Sequence, residues 1–387
     1  MCTLLRGHRE AENLEHFMMA VTTNKNMHRV SNGKFTAKKW SIRPYKPGDE
    51  DQIVNLFNTT FQRNITEKQW LWKFMGYEID VENVWVAVSE GRIIGHYGGT
   101  PMQFKLGDEV HTILHVADVM TEKAFRQRGV LTRLGDTAHA SWKTSGIPFV
   151  TGLHYGGWGT RRHYLGWKEQ FRSHWLVRPV DPKGLFQNRE TFPSVLKWPA
   201  QSAMSLCKSS SEFLLKWRSK QISVEPISTA LALFDEIWDT IKTSYTACVV
   251  RDQRWINYRY VSAPEVNYRI LIVKRANRPV GYLCYSMHIS GTLKSAHIVD
   301  LFTSPEDTAA AAGLLSFMIR ELRQMDMHSI RMLCPKKTHL RRLLLLSGFL
   351  PTKQGFDMSI VPLQGASLSA LASAKHWFTT AGDYDVV

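Results

Sequence analysis

The chain has 387 residues, 49 Lys and Arg against 34 Asp and Glu, a formal charge of +15, and 44% hydrophobic residues. At roughly 100–200 residues per domain, this length predicts two domains with separate cores, and 13 Trp, 12 Tyr and 18 Phe exclude an intrinsically disordered chain. The sequence also excludes a membrane-spanning apolar run, a signal peptide and a cysteine framework, so a cytoplasmic protein is expected, and its positive charge leaves cofactor phosphates, nucleic acid or no specific anion open as partners.

In chain order, residues 1–38 are polar and weakly patterned and are expected to form a flexible N-terminal extension. Residues 40–43 read as a short strand ended by Pro44 and Pro47. Asp49 is placed to cap a helix carrying Ile53, Val54, Leu56 and Phe57 on one face. Thr66, with Gln69 three residues later, forms a capping box that opens the next helix. Residues 84–88, a turn at Glu90-Gly91, and residues 93–104 read as a hairpin, and a third strand runs from 110 to about 120. Val130, Leu131, Leu134, Ala138 and Trp142 then fall at helical spacing. Residues 148–153 are nearly all apolar, the pattern of a central strand buried on both faces.

Matched landmarks show a duplication. Trp72-Lys73-Phe74 recurs as Tyr258-Arg259-Tyr260, and Gly95 as Gly281, both at an offset of 186. Gly129, a helix-opening glycine, has its counterpart in Gly313 at 184, and Leu165-Gly166-Trp167 is matched with Ser347-Gly348-Phe349 at 182. Four landmarks in one order, drifting by only a few residues, predict two copies of one α/β unit, here residues 39–180 and 222–363. The second copy repeats the order of strand, helices, three strands, long helix, strand and short helix. Residues 181–221 read as a linker with one helix near 212–218, and 364–387 as a C-terminal tail whose aromatics favour docking.

The segment with chemical content is Val119 to Leu131. A strand ends, a basic loop with one glycine follows, and an amphipathic helix begins at once. Such a junction points several backbone N–H groups and the positive end of a helix dipole at one place, which suits a diphosphate. Gly129 allows close approach of the backbone, and Arg126 and Arg128 stand ready for phosphates or for solvent. The bland alternative is an ordinary strand–loop–helix connection. Neither the dinucleotide-binding glycine pattern nor the Walker pattern is present.

With the hairpin before it and Leu165-Gly166-Trp167 after it, this segment resembles the acyl-CoA-binding core of the GNAT superfamily of N-acetyltransferases, and most closely the two-domain bacterial type. Arg126 and Gly129 match the family's [Q/R]-x-x-G-x-[G/A] signature, whereas Leu131 replaces its last small residue. The resemblance implies two tandem α/β domains, each a mixed, mainly antiparallel sheet flanked by helices. It implies acetyl-CoA as co-substrate, no metal, and a primary amine acceptor on a small molecule such as an amino sugar or aminoglycoside. Val119 and Thr121 would hold the pantetheine arm by their backbone. The N–H of Val119 would polarise the thioester carbonyl, and the stretch Gln127, Arg128, Gly129, Val130 and Leu131 would hold the pyrophosphate. Asp118 is the candidate base, and Tyr155 or Tyr164 the candidate acid.

His111 and His115 are the other nearby bases, and the acidic tail at Asp383 and Asp385 is another candidate. Trp70, Trp72, Phe74, Tyr97 and Trp158 are candidates for an aromatic wall around the substrate, although such spacing also fits a core. In the second copy, Asp300, Glu306 and Asp307 place carboxylates where phosphates would sit, so that half is expected to be degenerate and non-catalytic. Competing readings are a tRNA-dependent aminoacyl transferase of Fem type, a non-catalytic basic module for RNA or anionic polymer, and a CoA sensor. No RNA-recognition signature supports the second. A homo-oligomer is not excluded, and no membrane partner is expected.

Overall fold

The computed structural model describes residues 39–154, 165–181, 209–219, 222–227, 232–364, 371 and 377–384. Strand β1 (Ser41–Pro44) is followed by helices α1 (Glu50–Phe61) and α2 (Glu67–Met75). The meander β2 (Val84–Ser89), β3 (Arg92–Leu106) and β4 (Glu109–Thr121) leads through a single 3-10 turn to α3 (Val130–Thr144), β5 (Phe149–His154) and β6 (Lys168–Pro179). A helical stretch at 209–218 and β7 (Ser223–Ile227) precede α4 (Leu233–Ile241), β8 (Ala247–Val249) and α5 (Gln253–Ile256). Then come β9 (Arg269–Arg275), β10 (Arg278–Ser290), β11 (Leu293–Thr303), α6 (Thr308–Gln324), β12 (Ser329–Pro335), α7 (His339–Leu346), β13 (Leu350–Pro362) and β14 (Trp377–Phe378).

These strands belong to one mixed sheet with the main path β1-β2-β3-β4-β5-β13-β6-β12-β11-β10-β9-β7, and β8 branches from β3 with β14 beside it. Its centre shows a strand exchange. The antiparallel partner of β5 is β13, from the second copy, and that of β12 is β6, from the first. The two exchanged strands pair with each other in the middle. Units 39–180 and 222–363 therefore share one sheet, and the expectation of separate cores gives way to cores that cross the boundary. One cluster joins Met102, Phe104 and Phe149 to Phe234, Trp255 and Phe302. Helix α3 covers one face of the first copy through Val130, Leu134, Ala138 and Trp142, while α1 and α2 cover the other through Ile53, Phe57, Trp70 and Phe74.

Local signals hold in most places. The Thr66 and Gln69 capping box forms as expected, and Glu90 and Gly91 take the positive φ values, 51° and 76°, of a tight hairpin turn. Asp49 is the residue before α1, but its carboxylate takes a bidentate bond from Arg43, at 2.6 and 2.8 Å, instead of capping the helix. Gly313 does not open a helix either. It lies inside α6, packed against Ile222. The residue that opens α6 is Asp307, whose carboxylate accepts the N–H of Ala310 at 3.0 Å. Among the described residues no helix is long and apolar enough to cross a membrane.

Candidate functional site

The site begins with an irregularity in β4. β3 and β4 pair regularly up to Gly98↔Ala117 and resume at His96↔Met120, so two residues, Asp118 and Val119, stand opposite Tyr97 alone. Asp118 takes φ +51°, a left-handed conformation that costs a residue with a β-carbon roughly 1–2 kcal/mol. Such a bulge bends its strand and ends regular pairing. Accordingly β4 runs parallel to β5 only over Leu114↔Val150, His115↔Thr151 and Val116↔Gly152. Beyond that point the two strands part into a wedge.

Two side chains hold the bulge. Lys73, on α2, makes a 2.7 Å ion pair with the Asp118 carboxylate, both side chains being almost buried. His96, on β3, places Nδ1 2.8 Å from the Asp118 carbonyl oxygen. Burial lowers the His96 pKa to about 4, so the ring is neutral near pH 7 and its Nδ1–H donates to that carbonyl. Neither residue was singled out from the sequence as a site residue. Lys73 lies within a repeat landmark and His96 directly follows one, but no local pattern connects Lys73 with a partner 45 residues away.

The wedge leads to the basic loop. Phe125 buries itself under the loop, the Arg128 guanidinium lies 5.6 Å from its ring centre, and Arg126 Nε donates back to the Thr121 carbonyl at 3.1 Å. Arg126 thus closes the turn from strand to loop, while Gln127, Arg128 and Gly129 are exposed. Gln127 and Gly129 have φ of +63° and +76°. A β-carbon on Gly129 would meet nothing within 4 Å, so what demands glycine is its backbone angle, and the space beyond it is open. Gly129 precedes α3 and among the described residues no side chain caps that helix. Val130 is buried in the α3 core and Leu131 packs at its margin, so only their backbone N–H groups face the loop.

An acyl-CoA fits this arrangement by its chemistry. The uncapped helix end and basic loop suit a diphosphate, and the freed edge of β4 at Val119 and Thr121 suits an amide-bearing arm. The other expected residues separate. Tyr97 is wholly buried, with its hydroxyl 2.9 Å from His139 Nε2, so it belongs to the α3 core and does not face the wedge. Trp70 and Phe74 are likewise core. Trp72 lies between the copies: its Nε1 donates to the Tyr258 carbonyl at 2.8 Å, and the Tyr258 hydroxyl donates to the Lys73 carbonyl at 3.0 Å. Because Trp72 and Tyr258 are equivalent positions, this is a reciprocal contact about the internal symmetry. His115 lies at the foot of the wedge with Nδ1 2.9 Å from Thr151 Oγ1. Asp383 is buried against Arg251 in the second copy. Tyr155, Trp158, Tyr164 and Asp385 lie outside the described residues.

Comparison with known proteins locates the same region. The family profile described as the acetyltransferase (GNAT) domain matches residues 41–157. No curated protein matches the sequence. Among solved structures, a GCN5-related N-acetyltransferase from Anabaena variabilis is similar at TM-score 0.60 and 14% identity, over 84% of this chain and 73% of that one. Another, from Kribbella flavida, gives 0.58 and 13%, over 83% and 70%. The N-myristoyltransferase of Saccharomyces cerevisiae, solved with bound myristoyl-CoA, gives 0.58 and 8%, over 86% and 84%. At these identities the structures establish a shared fold.

Proposed function

With residues 41–157 a GNAT acetyltransferase domain, we propose that the wedge of the first copy is an acyl-CoA site. The acyl group moved is acetyl, and the acceptor is a primary amine on a small molecule such as an amino sugar or aminoglycoside. The observation that carries this reading is the bulge at Asp118 and Val119, which ends the β4–β5 pairing beside an uncapped helix opened by Gly129.

The thioester supplied by the co-substrate is the acyl donor, and the chain's own groups do the rest. The backbone of residues 127–131 binds the diphosphate, and the edge of β4 at Val119 and Thr121 orients the arm. The Val119 N–H stabilises charge on the carbonyl oxygen as the amine attacks. The α3 side of the sheet holds the phosphates, so the amine approaches from the opposite face, where Lys73, Asp118 and His115 lie. Asp118 accepts the proton of the incoming ammonium directly or through water. As the C–N bond forms the thioester C–S bond breaks, and Tyr155, Tyr164 or solvent gives the leaving thiolate its proton. General acid–base help of this kind contributes roughly 10²–10⁴-fold.

Titration calorimetry with acetyl-CoA and with free CoA tests the proposal. Wild type is expected to bind both, and Gly129→Glu, which sets a carboxylate against the diphosphate, to bind neither while keeping its fold. Equal binding by the variant would remove the phosphate-loop assignment, and no binding by wild type would remove the acyl-CoA reading.

A further inference from the structure

The second copy repeats the wedge. β11 runs parallel to β12 only from Ser295↔Ser329 to Ile298↔Met332. An irregularity in the β10–β11 register then follows between Ile298 and Asp300, where Val299 is the extra residue. Asp300 is 182 residues after Asp118 and occupies the same place on its strand.

This second wedge is filled by the chain itself. The turn Ala381–Asp383 packs against both β11 and β12. Arg259, the counterpart of Lys73, donates to the carbonyls of Gly382 and Tyr384 at 2.6 and 2.5 Å. A β-carbon at Gly382 would overlap the Tyr260 hydroxyl and lie 3.1 Å from the Val299 carbonyl oxygen. The centre of the assembly is Arg251, which is wholly buried and packs against the rings of Phe302 and Phe378. Its Nε lies 3.0 Å from Asp300 Oδ2 and its Nη2 2.7 Å from Asp383 Oδ1. Thr380 adds a 3.1 Å bond to the other oxygen of Asp300. In the first copy the corresponding position, 186 residues earlier, is Ile65, which cannot make such a clamp.

The clamp has a consequence at the first wedge. One residue beyond Asp383, the ring of Tyr384 lies 5.1 Å from that of His115. The pair His115↔Thr151 is the last but one before β4 and β5 separate. Tyr384 also packs in the cluster that Leu153 of β5 borders. We propose that Arg251 is a positioning residue for the first wedge. By tying Asp383 to Asp300 it holds the turn at 381–383 in the second wedge, and so seats Tyr384 against His115 on the face from which the acceptor approaches. Its bearing on acyl transfer rests on the acyl-CoA reading above.

The test uses the full chain as wild type, Arg251→Met, Arg251→Lys and Gly382→Ala. The last variant evicts the turn sterically without changing a charge, and covers the case in which Arg251→Met fails to fold. Three properties are measured: amide hydrogen exchange over 377–384, the histidine side-chain NMR signal of His115, and acetyl-CoA affinity. Arg251→Met and Gly382→Ala are expected to lose at least 100-fold of the protection over 377–384 and to shift the His115 signal. Acetyl-CoA affinity should stay within about threefold, and Arg251→Lys should restore part of the wild-type signal. Retained protection or an unmoved His115 signal in Arg251→Met, or in Gly382→Ala where Arg251→Met does not fold, with normal acetyl-CoA binding, would overturn the role of Arg251 alone. Absence of acetyl-CoA binding by wild type would overturn the acyl-CoA reading and the role at that site with it.

Discussion

Gly129 and Asp118 both occupy left-handed backbone, at φ +76° and +51°, for different reasons. At Gly129 the conformation suits the residue, and the free space around it implies that alanine fails through its backbone and not through a clash. Gly129→Ala is expected to lower stability by about 1 kcal/mol in chemical denaturation and to weaken acetyl-CoA binding severalfold in the calorimeter. At Asp118 the conformation is strained and is held by Lys73 on the carboxylate and His96 on the carbonyl. Asp118→Asn keeps the shape but removes the charge beside a buried ammonium. The expected result is a loss of about 1–3 kcal/mol and acyl transfer slowed by about 10²-fold, with acetyl-CoA affinity little changed. Only half of this pairing was legible beforehand. A glycine between a strand and a helix announces itself locally, whereas the partners of Asp118 come from two other elements.

Elements whose stability is decided within a turn or two were readable. The Thr66 capping box, the Glu90-Gly91 hairpin and the apolar stripe of α3 each depend on neighbours three or four residues away. Readings failed where a distant or stronger competitor entered. Arg43 draws Asp49 away from its helix, and Asp307 takes the place assigned to a glycine at the start of α6. That carboxylate already occupies the helix end where a diphosphate would bind in the second copy. Burial beneath α2 and α3 has its own consequence. His96 and His139 have pKa values lowered to about 4, mainly by burial, from 6.5. The unfolded chain therefore binds these protons first. Their contribution to stability is complete above pH 6.5 and is lost as pH falls toward 4, with a slope of up to about 1.4 kcal/mol per pH unit for each histidine. Urea midpoints measured from pH 7 to 4.5 should show this fall, and His139→Gln should flatten it.

At the scale of the whole molecule, the exchange of β6 and β13 makes the two copies mutually dependent. The first copy alone would leave β5 without β13 and β6 without both β13 and β12, exposing three strand edges at the centre of the sheet. Residues 39–181 expressed alone are expected to aggregate, whereas the full chain should unfold in one transition, as circular dichroism at two protein concentrations would show. Because residues 381–383 fill the second wedge, calorimetry should return one acetyl-CoA per chain. A stoichiometry of two would mean that the tail yields to the ligand.

The duplication, the order of elements and the basic loop at Arg126–Gly129 follow from residue spacing alone, because amphipathic periodicity, caps and turns are written over short stretches of chain. The strand exchange, the Lys73–Asp118 pair and the Arg251 clamp on the tail are contacts between residues 45 to 213 positions apart. Each requires that elements first be placed side by side. A buried charge reveals its partner only once folding has removed the water that would otherwise have served both.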